Sequence, residues 1–78
     1  MNLLELIEDT VNQKLQEICI DHTVTFIDFD TEKEITIFCT HAELAEDDGN
    51  IWIEFTDDKN YIHQTYGQGA DIWFEVKN

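Results

Sequence analysis

The spacing of apolar residues changes near His22, and this change constrains the fold of the 78-residue chain more than any other feature. Before His22 apolar side chains recur at helical spacing, and after it they alternate with polar ones, as along a strand. The pattern predicts one amphipathic helix over residues 2–18, with Asn2 as N-cap and Glu5 in the capping-box position. Its apolar stripe is formed by Leu3, Leu4, Ile7, Val11, Leu15 and Ile18.

Short runs rich in β-branched and aromatic residues follow the helix and predict a sheet. The predicted strands are residues 23–29, 34–40, 51–56, 61–66 and 71–77. The first two should form a hairpin that turns at residues 30–33. Residues 41–50 are expected to form an acidic loop, in which residues 42–45 are a candidate helical turn. We therefore expect a single α+β domain over residues 1–78, with the helix packed on a four- or five-stranded, mainly antiparallel sheet.

Two of the predicted strands repeat one pattern, in which an apolar row alternates with a row of tryptophan and glutamate. The apolar row comprises Ile51, Ile53, Phe55, Ile72, Phe74 and Val76, and the other comprises Trp52, Glu54, Trp73 and Glu75. One helix covers only one side of so small a sheet, so the Trp/Glu row is expected to face outward. Tryptophan is enriched at binding hot spots, which makes this row a candidate contact surface. The alternative is that the tryptophans are partly buried, by the 41–50 loop or by each other.

Charge restricts the class of partner. Asp and Glu number 18, against four lysines and no arginine, and the formal net charge is −14. Binding to phosphate groups, nucleic acid or anionic membranes needs a basic surface, so we expect none of these. Such a charge also repels itself and lowers the stability of the compact state. The charge favours a basic partner, and the alternative is that it serves solubility alone.

A row of acidic residues follows the first predicted hairpin: Asp28, Asp30, Glu32 and Glu34. In an extended strand, carboxylates two residues apart are separated by about 6.5–6.8 Å. A row of this kind resembles a strand of phosphates and is a second candidate for partner binding. The alternatives are an ordinary solvated turn and a calcium loop, although the glycine and the distal glutamate of an EF-hand are missing.

No catalytic motif occurs in the sequence, and we expect a protein that is not an enzyme and has no cofactor. Cys19 and Cys39 lie among apolar residues and are expected to be reduced, buried thiols. Together with His22, His41 and His63 they offer zinc ligands, but their spacings differ from those of common zinc modules, so no metal is expected.

Neither a signal peptide nor an apolar run of about 20 residues is present. A cytoplasmic location is therefore expected. The sequence leaves the oligomeric state open.

The opening segment Asn2-Leu3-Leu4-Glu5-Leu6-Ile7-Glu8 is similar in character to the first helix of the uracil-DNA glycosylase inhibitor and of some acidic anti-CRISPR proteins. Small size, extreme acidity and a short acidic helix followed by antiparallel strands also resemble these phage-encoded inhibitors. The resemblance covers at most the first 15 residues. It implies a class, a stoichiometric inhibitor of a DNA- or RNA-handling protein that imitates nucleic acid, and it carries over no functional residue.

The functional expectation is an acidic inhibitor of the anti-CRISPR or anti-restriction type. It would bind the basic nucleic-acid-binding surface of an enzyme, as a DNA mimic. The alternatives are an immunity protein that neutralises a nuclease toxin, a regulatory adaptor, and a metal-binding or small-ligand module. An inhibitor and an immunity protein would both bind the same kind of partner, a basic nucleic-acid-binding protein or nuclease.

Overall fold

The computed structural model describes residues 3–67 and 69–77, which contain one α-helix and five β-strands. The helix α1 spans Leu3–Cys19. The strands are β1 (Thr23–Ile27), β2 (Glu34–Asp47), β3 (Asn50–Asp57), β4 (Ile62–Gln64) and β5 (Phe74–Lys77). All pairings are antiparallel, and the order across the sheet is β4-β3-β2-β1-β5. The predicted α+β class and the five-stranded sheet are confirmed.

The sheet curls until the segment after its edge strand β4 meets the end of β1. Asp28, directly after β1, forms an antiparallel bridge with Thr65, directly after β4. The amide of Phe29 donates to the carbonyl of Gln64 at 2.9 Å and extends this contact. The result is a small, partly closed barrel, in which the segment after β4 pairs with the end of β1.

Strand β2 is longer than the sequence predicts. Its first part pairs with β1 from Glu34 to Phe38, and after an irregularity at Cys39/His41 its second part pairs with β3 as far as Asp47. The prediction of a loop is therefore wrong over residues 41–47, as is the helical turn at 42–45, whereas the turn expected at the end of this segment, Asp48-Gly49-Asn50, is present at Asp48-Gly49. Alternate side chains of this segment enter the core, and cross-strand hydrogen bonding to β3 overrides the low β-propensity of alanine and acidic residues.

The core lies between α1 and the inner face of the sheet. Phe26 and Phe55 are fully buried, with their ring centroids 4.8 Å apart. Helix α1 contributes Leu15 and Cys19, both buried, and Val11, which packs against them.

The predicted apolar stripe of the helix is correct at Val11 and Leu15 and wrong at Ile18, which is 41% exposed. The buried face follows the i, i+4 row, so Cys19 takes the position that the stripe assigned to Ile18. The predicted cap and the rest of the stripe lie outside the described side chains; these residues are Asn2, Leu3, Leu4, Glu5 and Ile7.

The two rows of β3 face opposite sides, as predicted. Ile53 and Phe55 are buried, whereas Trp52 and Glu54 lie on the outer face. The final strand differs from its prediction of residues 71–77, since Gly69–Asp71 forms a 3-10 turn and β5 begins only at Phe74.

We predict that both thiols react slowly with a thiol-specific reagent in the native protein. Cys19 and Cys39 are free and fully buried. Burial, with a smaller effect from Cys39, raises the pKa of Cys19 to about 11, and burial also raises the pKa of Cys39. The reactive thiolate is therefore scarce at neutral pH. A spectrophotometric time course should show slow labelling in buffer and rapid labelling in denaturant. Rapid titration of either thiol in the native state would contradict the buried positions.

Candidate partner-binding surfaces

The acidic row of the first hairpin is divided by the fold. Asp28 is 7% exposed, and its Oδ2 accepts hydrogen bonds from the amide of Thr31 at 3.0 Å and from its hydroxyl at 3.2 Å. Asp30, Glu32 and Glu34 are exposed. The row is not an extended strand of evenly spaced charges, because the chain turns here and Glu32 has a left-handed backbone, with φ of 58°. Asp28 stabilises the turn, and the other three present charge to solvent.

The residues of the predicted Trp/Glu face are divided between two parts of the sheet. Trp52 and Glu54 belong to β3, whereas Trp73 and Glu75 lie at β5, with β2 and β1 between the two strands. Glu75 is exposed, and Trp73 is 45% exposed. The two tryptophans therefore belong to parts of the sheet that are not adjacent in strand order.

The surface on β3 holds its carboxylate in place. Trp52 Nε1 donates to Glu54 Oε2 at 3.3 Å, and Gln64 Nε2 donates to the same oxygen at 3.2 Å. Two donors from neighbouring strands thus orient one acidic group beside an indole ring. A carboxylate fixed in this way needs less reorganisation when it binds a cation.

A second glutamate adds to the negative potential of this surface. Glu43 of β2 lies directly opposite Glu54 of β3 in the antiparallel register. Like charges at such positions destabilise a sheet. His41 Nε2 lies 3.5 Å from Glu43 Oε2, but both side chains are about half exposed and the contact is screened by solvent. A cation supplied by a partner would relieve the repulsion.

Two grooves lie on either side of Phe29, which lines both of them. The larger has a volume of about 640 Å³ and is lined by Ile27, Phe29, Tyr66, Gly67, Asp71 and Trp73. The smaller, of about 320 Å³, is lined by Phe29, Asp47, Asn50, Trp52, Gln64 and Thr65. Each groove therefore combines a tryptophan with at least one carboxylate. Sequence reasoning identified both tryptophans but missed Phe29 and Tyr66, which it placed within strands.

One cluster of ionisable side chains lies outside the grooves. His63 Nε2 donates to Asp57 Oδ2 at 2.9 Å, and its Nδ1 lies 3.8 Å from Asp28 Oδ1. Asp57 Oδ1 also accepts from the amides of Lys59 and Tyr61, at 2.8 and 3.0 Å. The hydrogen bond from His63 is the largest cause that holds the pKa of the Asp57 carboxyl below its usual value; burial opposes it, and the two amide hydrogen bonds lower the pKa further.

This cluster ties three parts of the chain together and has a structural role. It joins β4, the turn after β3 and the turn after β1, and none of its three side chains lines either groove. Sequence spacing did not reveal it, because Asp28 and His63 are 35 residues apart and meet only when the sheet closes. Among the side chains that the structure describes, in residues 10–67, 69 and 71–77, no three His, Cys, Asp or Glu form a group suited to a metal ion.

No protein-family model matches this sequence, and comparisons with curated proteins and with solved structures found no match. Across the described part of the chain, no helix is long and apolar enough to cross a membrane.

We predict that the Asp57–His63 contact stabilises the fold above about pH 4 and loses its effect in stronger acid. The folded-state pKa of Asp57 is lowered from 3.8, so its contribution is present above the unfolded value and disappears as pH falls through the folded value. The test compares urea unfolding of the wild type and Asp57→Asn between pH 7 and pH 2.5. The difference in unfolding free energy should be constant down to about pH 5 and then shrink.

Asp58→Asn is the matched control, because Asp58 is an exposed neighbour without the histidine contact. It should cost little stability at any pH. If the difference in unfolding free energy between the wild type and Asp57→Asn stays constant through the acid range, the charge of Asp57 does not contribute to stability.

Proposed function

We propose that this protein is an acidic inhibitor that occupies the basic, nucleic-acid-binding surface of a DNA- or RNA-handling enzyme. The observation that supports this most is the imbalance of exposed charge. Twelve carboxylates are exposed among the described side chains: Glu17, Asp21, Asp30, Glu32, Glu34, Glu43, Glu46, Asp47, Asp48, Asp58, Asp71 and Glu75. The four lysines are also exposed, and none forms an ion pair within the described residues.

A surface with uncompensated negative charge is electrostatically more complementary to a basic groove than to any other kind of surface. It raises the rate of encounter with a positive partner and repels nucleic acid and anionic lipid. A protein that only needed to stay soluble would require a far smaller net charge. Glu43 and Glu54 place two negative charges opposite each other across β2 and β3, and a basic partner would neutralise both.

Anchoring groups accompany the charge. Trp52 lies beside the oriented carboxylate of Glu54, and Trp73 lies in the larger groove. Indole rings of this kind supply much of the binding energy of protein interfaces when they are desolvated. The similarity of residues 2–8 to the first helix of acidic phage-encoded inhibitors supports the same class.

The proposed mechanism is occlusion, so the protein acts by binding and not by catalysis. Carboxylates meet the cations that normally hold phosphates, and the nucleic acid loses its site. The free, buried thiols fit a reducing compartment such as the cytoplasm. A restriction or CRISPR nuclease as partner would identify a counter-defence inhibitor, and a nuclease toxin would identify an immunity protein.

We predict that the exposed acids of the first hairpin direct association with the partner. The partner is first captured from host lysate on the tagged protein at about 0.05 M salt, because the Debye length there is longer than at physiological salt. The captured protein is then identified by mass spectrometry. The triple variant Asp30→Asn, Glu32→Gln and Glu34→Gln should then slow association and flatten its dependence on salt. Asp28 stays unchanged because it stabilises the turn.

The matched control removes the same charge elsewhere. Glu17→Gln, Asp21→Asn and Asp58→Asn change three exposed acids away from the hairpin. This control should slow association less at the same ionic strength. Equal effects of the two triple variants would contradict a defined acidic face, and capture of a partner without a basic surface would contradict the proposed function.

A further inference from the structure

Three half-exposed aromatic rings face the larger groove. The exposed fractions are 50% for Phe29, 49% for Tyr66 and 45% for Trp73. Acidic groups accompany the rings, since Asp71 lines the groove and the nearby Glu32 carboxylate raises the pKa of Tyr66. Exposed aromatic area beside carboxylates is unusual for a surface that serves solubility alone.

The backbone around the groove is held by specific contacts. The amide of Tyr66 donates to the carbonyl of Ile27 at 2.8 Å, which fixes Tyr66 against the end of β1. Gly67 packs so closely on the backbone of Asp71 that a Cβ at this position would overlap the Asp71 carbonyl. The backbone that carries Tyr66 and Asp71 is therefore positioned before a ligand arrives, which lowers the entropic cost of binding.

We propose that this groove receives the guanidinium group of an arginine side chain from the basic partner. The inference rests on the proposed function and locates one contact within it. The faces of aromatic rings carry negative potential and attract cations. Asp71 would pair with the same cation at the wall of the groove. A neutral side chain would leave this carboxylate without a partner, and an acidic one would be repelled.

Arginine fits these features better than lysine does. Its planar guanidinium stacks on aromatic rings, sheds water more readily than an ammonium group and forms paired hydrogen bonds with a carboxylate. The groove volume of about 640 Å³ exceeds the size of the guanidinium head and leaves room for the aliphatic stem and adjacent backbone. Arginine is also the residue that nucleic-acid-binding surfaces use most for specific base contacts.

The test titrates the folded protein with ethylguanidinium and, separately, with the neutral and nearly isosteric N-ethylurea, at constant ionic strength. Two-dimensional NMR follows the indole N–H signals, which Trp52→Phe assigns. We expect a saturable shift of the Trp73 signal with ethylguanidinium. The affinity should exceed that for N-ethylurea by between about twofold and thirtyfold, the range of a cation–π contact.

Two variants of equal charge separate the groove from the general electrostatic field. Asp71→Asn should weaken binding of ethylguanidinium severalfold, whereas Asp58→Asn, in the turn after β3, should leave it unchanged. Trp73→Leu, followed through the backbone amide signals of Tyr66 and Gly67 in a protein whose amide spectrum remains folded, should abolish the saturable shift that the wild type shows at these amides. Equal binding of the two probes, or equal weakening by both aspartate variants, would overturn the site. Tighter binding of n-butylammonium than of ethylguanidinium would overturn the assignment to arginine.

This titration contains no partner, so its outcome is independent of the proposed function. A negative result removes the groove from the interface and leaves the acidic surface as the binding element. A positive result together with a partner that is not basic would retain the cation site and remove the inhibitor role.

Discussion

Strand β2 contacts β1, β3 and α1, and these contacts determine the arrangement of most of the fold. Over Glu34–Asp47 it pairs first with β1 and then, beyond the irregularity at Cys39/His41, with β3. Helix α1 packs mainly on the same strand, and the Oδ1 of Asn12 accepts a hydrogen bond from the Leu44 amide at 2.6 Å. Because one strand belongs to both halves of the sheet, its bend lets the sheet curl until Asp28 meets Thr65. The two grooves flank Phe29, which directly follows Asp28 in the chain.

The same closure explains how so small a chain carries so much like charge. The inner face is nearly free of ionisable groups, and the acid that does enter, Asp28, is satisfied by Thr31 and lies close to His63. The remaining charge stays at the surface, where water and salt screen it. A basic partner, as proposed, would neutralise part of this charge.

Periodicity was sufficient to predict the helix, the first hairpin and the opposite faces of β3, since each depends on local spacing. It failed where pairing between strands that are distant in sequence determines the structure. The turn at Asp48-Gly49 was predictable from its residues, and both have positive φ, at 52° and 83°, but residues 41–47 before it were expected to be an acidic loop and instead continue β2. The Trp/Glu repeat gave the outward direction of Trp52 but not its separation from Trp73, because strand order is set by long-range pairing. Phe29 could not be placed in the grooves without knowing that the sheet closes.

The central claim is that the protein and nucleic acid compete for one surface of the partner. The most direct measurement is equilibrium binding of the labelled protein to its isolated partner, repeated with increasing amounts of the partner's own nucleic-acid substrate at about 0.15 M salt, where surface charges are screened beyond about 8 Å. We predict complete mutual displacement. The apparent dissociation constant of the protein should rise in proportion to the nucleic-acid concentration once nucleic acid saturates the partner. Simultaneous binding of both at saturation, without mutual weakening, would contradict it.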